Sequence, residues 1–286
     1  MLEELREHVG RRAEIADQIT STAIRRLGLT LDRDLGELKD GMPIPPGWHG
    51  IFCIWSDRTA ALSEDGLPRS PDILPEIPLP RRMFGGARMR FHAPLRVGDP
   101  IVCTSEIADI KQRPGSGGDM VIVVQRHSFS SHGTLKVVEE QDIIHLPATP
   151  PSLGNPPPPK MAPGGSDLSE TIQPDPRLLF RFSALTFNSH RIHYDLPYAR
   201  EIEHLPALMV QGKLLAMMLL GLVEKLAPKA TLQEFSYRSV RPVFADRPFT
   251  IACKQNRTEG TVALWAADAD GALAQTASAK FSNADS

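Results

Sequence analysis

The chain has 286 residues and a formal net charge of −2, from 32 Lys and Arg against 34 Asp and Glu. This near balance excludes a general electrostatic attraction to nucleic acid. The hydrophobic fraction of 41% is typical of a globular protein with a sizeable core, and the length allows two modest domains. No apolar run is long enough, at about 18 residues, to predict a membrane span.

The cysteine content points to a reducing compartment. Cys53, Cys103 and Cys253 are odd in number and widely spaced, which fits neither a disulfide framework nor a zinc site. Residues 1–20 carry acids among their bases and lack the apolar core of a signal peptide. We therefore interpret them as part of the mature protein and predict a cytoplasmic location.

The first part of the chain opens with helical periodicity up to about Leu27, where Gly28 is a plausible stop. Pro-rich loops at 42–48 and 67–80 enclose a short apolar segment, Gly50–Trp55. Val- and Ile-rich segments separated by Gly-containing turns then predict four strands. They are Arg88–Val97, Pro100–Gln112, Asp119–Ser130 and Thr134–Leu146.

A linker divides the chain into two parts of similar size. Residues 148–167 are rich in Pro and Gly, which exclude a helix or a central strand. The predicted organisation is therefore an N-terminal unit of residues 1–147, this linker, and a C-terminal unit of residues 168–286.

The second part has the same order of elements. Residues 207–226 predict a helix that is apolar almost all round, and hence buried at the centre of its unit. Asp270 and Gly271 form a hairpin signal. The predicted strands are Leu232–Val240, Pro248–Gln255, Thr261–Ala267 and Leu273–Phe281.

A faint internal repeat supports two copies of one unit. Residues 90–99 and 238–246 each have an Arg-containing strand end, a proline and a small-residue corner with Asp. A helix followed by an antiparallel meander, twice, predicts an α+β double hotdog, with two antiparallel sheets each wrapped around a helix.

Residues 181–199 carry the polar side chains best suited to chemistry. His193 can exchange a proton near neutral pH, and Asn188 can hold a water or a carbonyl by hydrogen bonds. Asp195 lies two residues further on, where an extended chain would let it orient the imidazole. Gly212 opens the apolar helix, whose free N–H groups can stabilise a developing negative oxygen.

Structural roles compete with some of these assignments. His190 and His193 are spaced like metal ligands, but no third ligand accompanies them, so no metal site is predicted. His190 could instead hydrogen-bond its own loop. Asp195 fits equally well as the N-cap of a helix that begins near Pro197.

The segment resembles the active-site motif of the MaoC-like hydratases. Residues 186–195, followed by Tyr198 and Ala199, align with Ser/Thr-Gly-Asp-x-Asn-Pro-Leu/Ile-His-x-Asp and then Tyr/Phe-Ala. The family histidine falls on His193, and the family's later Val-His-Gly falls on residues 210–212.

Two departures from the family pattern resemble one branch of that family. The family aspartate is replaced by Asn188, and the family asparagine is replaced by His190. This form resembles the type-2 hydroxyacyl-thioester dehydratases and the bacterial mesaconyl-C4-CoA and itaconyl-CoA hydratases. Residues 85–99 and 138–142 resemble the N-terminal hotdog of the same branch.

The resemblance implies that the C-terminal unit is catalytic and that the N-terminal unit shapes the acyl pocket. It implies hydration of itaconyl-CoA or mesaconyl-C4-CoA to citramalyl-CoA, with no metal or redox cofactor, since coenzyme A is part of the substrate. Dehydration of straight-chain 3-hydroxyacyl thioesters is the main alternative. A thioesterase and an inactive acyl-CoA binder are further ones.

The expected catalytic residues are His193, Asn188 and Asp195, and the expected substrate-binding residues are Gly212, His190 and Arg191. A substrate carboxylate would need a cationic partner. Arg191 is the first choice for that partner, followed by Arg181, Arg238 and Arg241. A doubled hotdog can work as a monomer or form a homodimer.

Overall fold

The computed structural model describes residues 2–55, 57–68, 73–115, 118–147, 158–256 and 258–282. The strands of the first half are β1 (Arg12–Gln18), β2 (Arg81–Phe91), β3 (Pro100–Gly115), β4 (Gly118–Ser131) and β5 (Thr134–Leu146). Those of the second half are β6 (Leu168–Ile172), β7 (Leu232–Ser239), β8 (Phe249–Asn256), β9 (Thr261–Ala267) and β10 (Leu273–Phe281).

Helices lie between these strands. The α-helices are α1 (Leu2–Arg6), α2 (Ser21–Thr30), α3 (Pro176–Leu185), α4 (Leu196–Glu201) and α5 (Gly212–Leu226). Three short 3-10 helices span Trp48–Ile51, Thr59–Ala61 and Arg191–His193. Within the described residues, no helix is long and apolar enough to cross a membrane.

The strands form a ten-stranded sheet in the order β1-β3-β4-β5-β2-β7-β10-β9-β8-β6. Each half has the same internal order, because β6, β8, β9, β10 and β7 repeat the arrangement of β1, β3, β4, β5 and β2. The predicted double hotdog is confirmed. The two predicted sheets are joined edge to edge, since β2 pairs antiparallel with β7.

The two halves differ where their central helices should begin. In the first half, Pro43 bridges to Arg96 and the chain then forms the 3-10 helix Trp48–Ile51. In the second half, Met209 bridges to Phe244 and the chain continues into the 15-residue α5. The N-terminal half therefore has one turn of helix where the C-terminal half has four.

The helix α5 is the centre of the core, as its apolar composition predicts. Eight of its residues are buried against the C-terminal strands. It begins at Gly212 rather than at Ala207, because the preceding residues are extended. The amide of Val210 donates to the carbonyl of Val243 over 2.8 Å, and these tertiary hydrogen bonds override the local helical pattern.

The predicted N-terminal helix is wrong over most of its length. Residues 12–18 form β1, which pairs along the edge of β3 and alternates its side chains between the two faces. The edge of β3 offers a row of backbone partners that local propensity does not reveal. Gly28 lies inside α2, which continues to Thr30, and is not its stop.

The other predicted strands agree closely with the structure, except that β2 begins at Arg81 and ends at Phe91, before the proline corner. The strand β6 was not predicted. The Asp270–Gly271 turn joins β9 to β10 as expected. Residues 148–157 of the predicted linker lie outside the described residues. Its remainder lies against the C-terminal half, where Ala162 donates to the carbonyl of Gly271.

Candidate active site

The segment after α3 turns sharply and carries Asn188 back toward the helix. Phe187 adopts a left-handed conformation with φ of 50°, and the amide of Asn188 donates to the carbonyl of Ser183 over 2.8 Å. The side-chain Oδ1 of Asn188 accepts from the amide of His190 over 3.2 Å. Among the described residues no hydrogen bond engages its N–H₂ group, which can act as a donor.

His193 is buried, with 5% of its surface exposed, and its protonation pattern is determined by one backbone contact. Nδ1 lies 2.7 Å from the carbonyl oxygen of Met209. A carbonyl only accepts, so Nδ1 carries the proton and Nε2 of the neutral ring holds a lone pair. Burial lowers the pKa of His193 to about 4, so the ring is neutral near pH 7.

The same contact joins His193 to the segment that leads into α5. Met209, which accepts from His193, donates its own amide to the carbonyl of Ile192 over 3.0 Å. It is followed within three residues by Gly212. Gln211 joins this region to α3 through a 2.9 Å hydrogen bond to the hydroxyl of Ser183. His193 therefore contacts the segment three residues before the start of α5, whose first N–H groups have no partner within the helix.

Asp195 occupies the N-cap position of α4. Its carboxylate accepts from the amide of Tyr198 over 3.1 Å and from Nε of Arg191 over 3.0 Å. These two contacts, led by the backbone hydrogen bond, lower its pKa. Among the described residues it makes no hydrogen bond to His193, so its contacts are those of the predicted cap.

The guanidinium of Arg191 is occupied by contacts within the protein. Besides Asp195, its guanidinium donates to the carbonyl of Glu64 over 3.0 Å and lies 4.0 Å from the centre of the Tyr198 ring. The other arginines considered for a substrate carboxylate are exposed at the surface: Arg181, Arg238 and Arg241.

His190 lies next to His193, with its ring edge-on at a centroid distance of 5.6 Å. Burial lowers its pKa, opposed by the charges of Asp65 and Glu203. The described residues contain no group of three His, Cys, Asp or Glu side chains arranged to hold a metal ion.

Residues of the N-terminal half also support this segment, which the sequence analysis did not predict. The amide of Arg191 donates to the carbonyl of Asp65 over 2.8 Å, and the hydroxyl of Ser189 donates to the carbonyl of Gly66 over 2.6 Å. Residues 64–66 thus hold the loop of Asn188 and His193 in place. The dipeptide Asp65–Gly66 is a turn signal in the sequence, but it does not indicate which segment the turn contacts.

Known proteins share both the sequence and the fold. The family described as hydroxyacyl-thioester dehydratase type 2 matches residues 47–245. A mesaconyl-C4-CoA hydratase of Chloroflexus aurantiacus is 38% identical over 273 residues, 96% of each chain. The mitochondrial hydroxyacyl-thioester dehydratase type 2 of Schizosaccharomyces pombe is 25% identical, covering 79% of this chain and 81% of its own.

Two solved structures show the fold at low identity. A MaoC-like dehydratase of Phytophthora capsici superposes with a TM-score of 0.74 at 11% identity, covering 100% of both chains. A double-hotdog protein of Mycobacterium tuberculosis superposes with a TM-score of 0.55 at 15% identity, covering 96% of both. With the family match over most of its length and the bacterial relative over nearly all of it, this chain belongs to the hydroxyacyl-thioester dehydratase type 2 family of MaoC-like hotdog hydratases and dehydratases.

Proposed function

We propose that this protein adds water to the double bond of a short enoyl-CoA that carries a free carboxylate, mesaconyl-C4-CoA or itaconyl-CoA, and forms citramalyl-CoA. The observation that carries the proposal is the hydrogen bond from His193 Nδ1 to the carbonyl of Met209. It leaves the lone pair on Nε2 to act as a base, and it joins His193 to the segment that leads into α5. The 38% identity to a mesaconyl-C4-CoA hydratase supports this substrate.

The reaction on mesaconyl-C4-CoA needs only proton transfer and oxyanion stabilisation. The thioester oxygen accepts hydrogen bonds from the N–H groups around Gly212. His193 Nε2 takes a proton from water while the hydroxide attacks the β-carbon, and the negative charge develops on the thioester oxygen. His193 then returns the proton to the α-carbon, which restores the neutral imidazole and completes the addition of one water.

The neighbouring polar residues have supporting roles in this proposal. The N–H₂ group of Asn188 orients the water or the acyl group, and His190 lines the same side of the site. Asp195 acts on the reaction indirectly, because it caps α4 and holds Arg191, which in turn binds the loop of Glu64. No metal or redox cofactor takes part.

We further propose that the protein works in the cytoplasm, as a monomeric double hotdog or a homodimer, and without a nucleic-acid partner. Its three cysteines are free and buried, which agrees with a reducing compartment. The N-terminal half supplies the space for the acyl group. Its described residues form the short 3-10 helix Trp48–Ile51 at the position of the other half's α5.

Mass spectrometry of the purified protein with mesaconyl-C4-CoA, itaconyl-CoA, crotonyl-CoA and 3-hydroxybutyryl-CoA tests the proposal. Gain of one water by mesaconyl-C4-CoA, with kcat/KM well above that for crotonyl-CoA, is the expected result. Preferential turnover of the two straight-chain substrates would instead support the fatty-acyl dehydratase, which the similarity to the Schizosaccharomyces pombe enzyme favours. Release of free CoA would indicate a thioesterase, and no reaction would indicate a binder.

A further inference from the structure

A ladder of polar side chains crosses the inner face of the N-terminal half. Ser105, His127 and Glu139 stand opposite one another on β3, β4 and β5, and Gln125 and Gln141 form a second rung on β4 and β5. Directly opposed residues of antiparallel strands share a face, as do residues two apart. The two rungs therefore form one continuous polar surface inside the protein.

The rungs are tied together by hydrogen bonds. The hydroxyl of Ser105 lies 2.8 Å from Nδ1 of His127. Both oxygens of Glu139 are occupied, one by Nε2 of His49 at 2.9 Å and the other by Nε2 of Gln141 at 2.8 Å. Burial raises the pKa of Glu139, but His49 and the charge of Lys213 more than offset this, so the pKa lies well below its ordinary value and Glu139 is ionised.

The equivalent face of the C-terminal half is mainly apolar and carries one buried glutamine, Gln275 on β10, which lies opposite Ala266 and donates to the carbonyl of Gly212 over 3.0 Å. There Ile251 on β8 and Leu264 and Ala266 on β9 pack into the hydrophobic core with α5. Burying polar groups costs free energy that apolar packing does not, unless every group is satisfied. Packing alone therefore does not account for the polar surface of the first half.

A cavity of about 230 Å³ lies over this polar surface, between Gly50, His127, Glu139 and Lys213. Within the described residues, the N-terminal half has the 3-10 helix at 48–51 at the position where the other half has the longer α5. Pockets for drug-sized ligands measure roughly 300–1,000 Å³, so this one suits a short acyl group.

Two residues of the cavity lining lie close in the chain to residues of the candidate active site. They are Thr186, two residues before Asn188, and Lys213, the residue after Gly212. Consecutive Cα atoms are about 3.8 Å apart, so the backbone of Lys213 lies beside the proposed oxyanion site. In mesaconyl-C4-CoA the free carboxylate is attached to the attacked β-carbon, so its binding group must lie close to the reacting atoms.

Lys213 has the cationic group suited to this position. Its Nζ donates to the carbonyl of Gly50 over 2.9 Å, and among the described residues no ion pair joins it to a carboxylate. An ammonium has three donors, so donors remain for a ligand in the cavity. Gly50 permits this reach, because a β-carbon there would lie 2.7 Å from Nζ.

We propose that Lys213, with His127 and the polar ladder behind it, binds the free carboxylate of a dicarboxylic acyl group. This inference rests on the proposed function and names the group that selects its substrate class. It replaces the arginines expected from the sequence, since Arg191 is bound to Asp195 and the others are exposed. Lys213 is then a specificity residue, and the reacting atoms remain with His193.

The test compares succinyl-CoA with butyryl-CoA, which have equal chain length and differ in a terminal carboxylate against a methyl group. Neither has a double bond to hydrate, so calorimetry reports binding alone. We expect the wild-type protein to bind succinyl-CoA at least about tenfold more tightly, a modest gain for a charge-assisted pair. Lys213→Met should bring the two Kd values together, whereas Lys225→Met, an exposed position on the same helix, should leave the difference unchanged.

Gly50→Ala provides a second variant that keeps the charge of Lys213 and displaces its ammonium group. It should also reduce the preference for succinyl-CoA. An undiminished preference in folded Lys213→Met, or in Gly50→Ala if Lys213→Met does not fold, would overturn the assignment of Lys213. It would leave the proposed function intact if the wild type still hydrates mesaconyl-C4-CoA. Failure of the wild type to hydrate mesaconyl-C4-CoA would instead overturn the proposed function.

Discussion

Gly66 of the N-terminal half lies so close to Ser189 that a β-carbon at residue 66 would overlap the carbonyl oxygen of Ser189. Gly66 also has φ of 87°, a conformation that other residues adopt only with strain. Since Ser189 lies between Asn188 and His190, this contact ties the geometry of the candidate site to the other half of the protein.

Gly66→Ala should therefore lower both stability and turnover. We expect a loss of roughly 1–3 kcal/mol from backbone strain alone, with a further loss as Ser189 moves. Gly133→Ala is the matched control, because Gly133 has φ of 72° but open space around it. Urea denaturation and kcat would be measured for both. Equal losses in the two variants would show that the contact with Ser189 is unimportant.

His193→Ala should reduce kcat/KM for mesaconyl-C4-CoA by about a hundredfold or more, as expected for removal of a general acid–base group. The fold should persist, as judged by circular dichroism. His132→Asn is a suitable control, since His132 is exposed and asparagine tolerates its positive φ of 49°. Activity within a few-fold of wild type in a folded His193→Ala protein would remove His193 from the mechanism.

Asn188→Asp separates two roles of the amide. Aspartate can still accept the hydrogen bond from the His190 amide, as Oδ1 of Asn188 does, but when ionised it has no N–H to donate. We expect a large fall in kcat for Asn188→Asp, comparable to that of Asn188→Ala, because the proposed mechanism requires the N–H₂ group as a donor. Near-normal turnover of Asn188→Asp would mean that the residue only accepts hydrogen bonds. Full activity of Asn188→Ala would show that Asn188 has no role in turnover.

The pH dependence of kcat/KM should follow the depressed pKa of His193. Burial lowers this pKa from 6.5 to about 4, so the base stays neutral and active well below pH 6. An acid limb near pH 4 is expected, and one between pH 6 and 7 would contradict the assignment. Between pH 6.5 and about pH 4, His193 binds a proton in the unfolded chain but not in the native chain. The free energy of unfolding therefore falls as the pH falls through this range. Circular dichroism at each pH is the necessary control.

Asp195→Asn tests the cap against a catalytic role. Asparagine caps helices as well as aspartate does, so it should keep the bond to Tyr198 and lose only the charge that pairs with Arg191. We expect kcat within a few-fold of wild type. Asp195→Ala should cost about 1 kcal/mol in urea denaturation through loss of the cap. A loss of activity in Asp195→Asn as large as that in His193→Ala would instead make this carboxylate part of the chemistry.

The parts of the fold and site that could be predicted from the sequence are those that depend on short, continuous segments. The strands of both halves are continuous segments with the composition of strands, and the repeat at 90–99 and 238–246 marks equivalent corners in the final topology. The motif that includes His193 is also a short segment, and its resemblance to a known family does not depend on the rest of the fold.

Tertiary structure decided what depends on residues far apart in the chain. Residues 12–18 form a strand because β3 offers them an edge, and residues 207–211 are extended because residues 243–245 pair with them. The proton position on His193 depends on the carbonyl of Met209, and the reach of Lys213 depends on the absence of a side chain at Gly50. Such contacts leave no local periodicity or spacing, because their partners are brought together only when the two halves fold into one sheet.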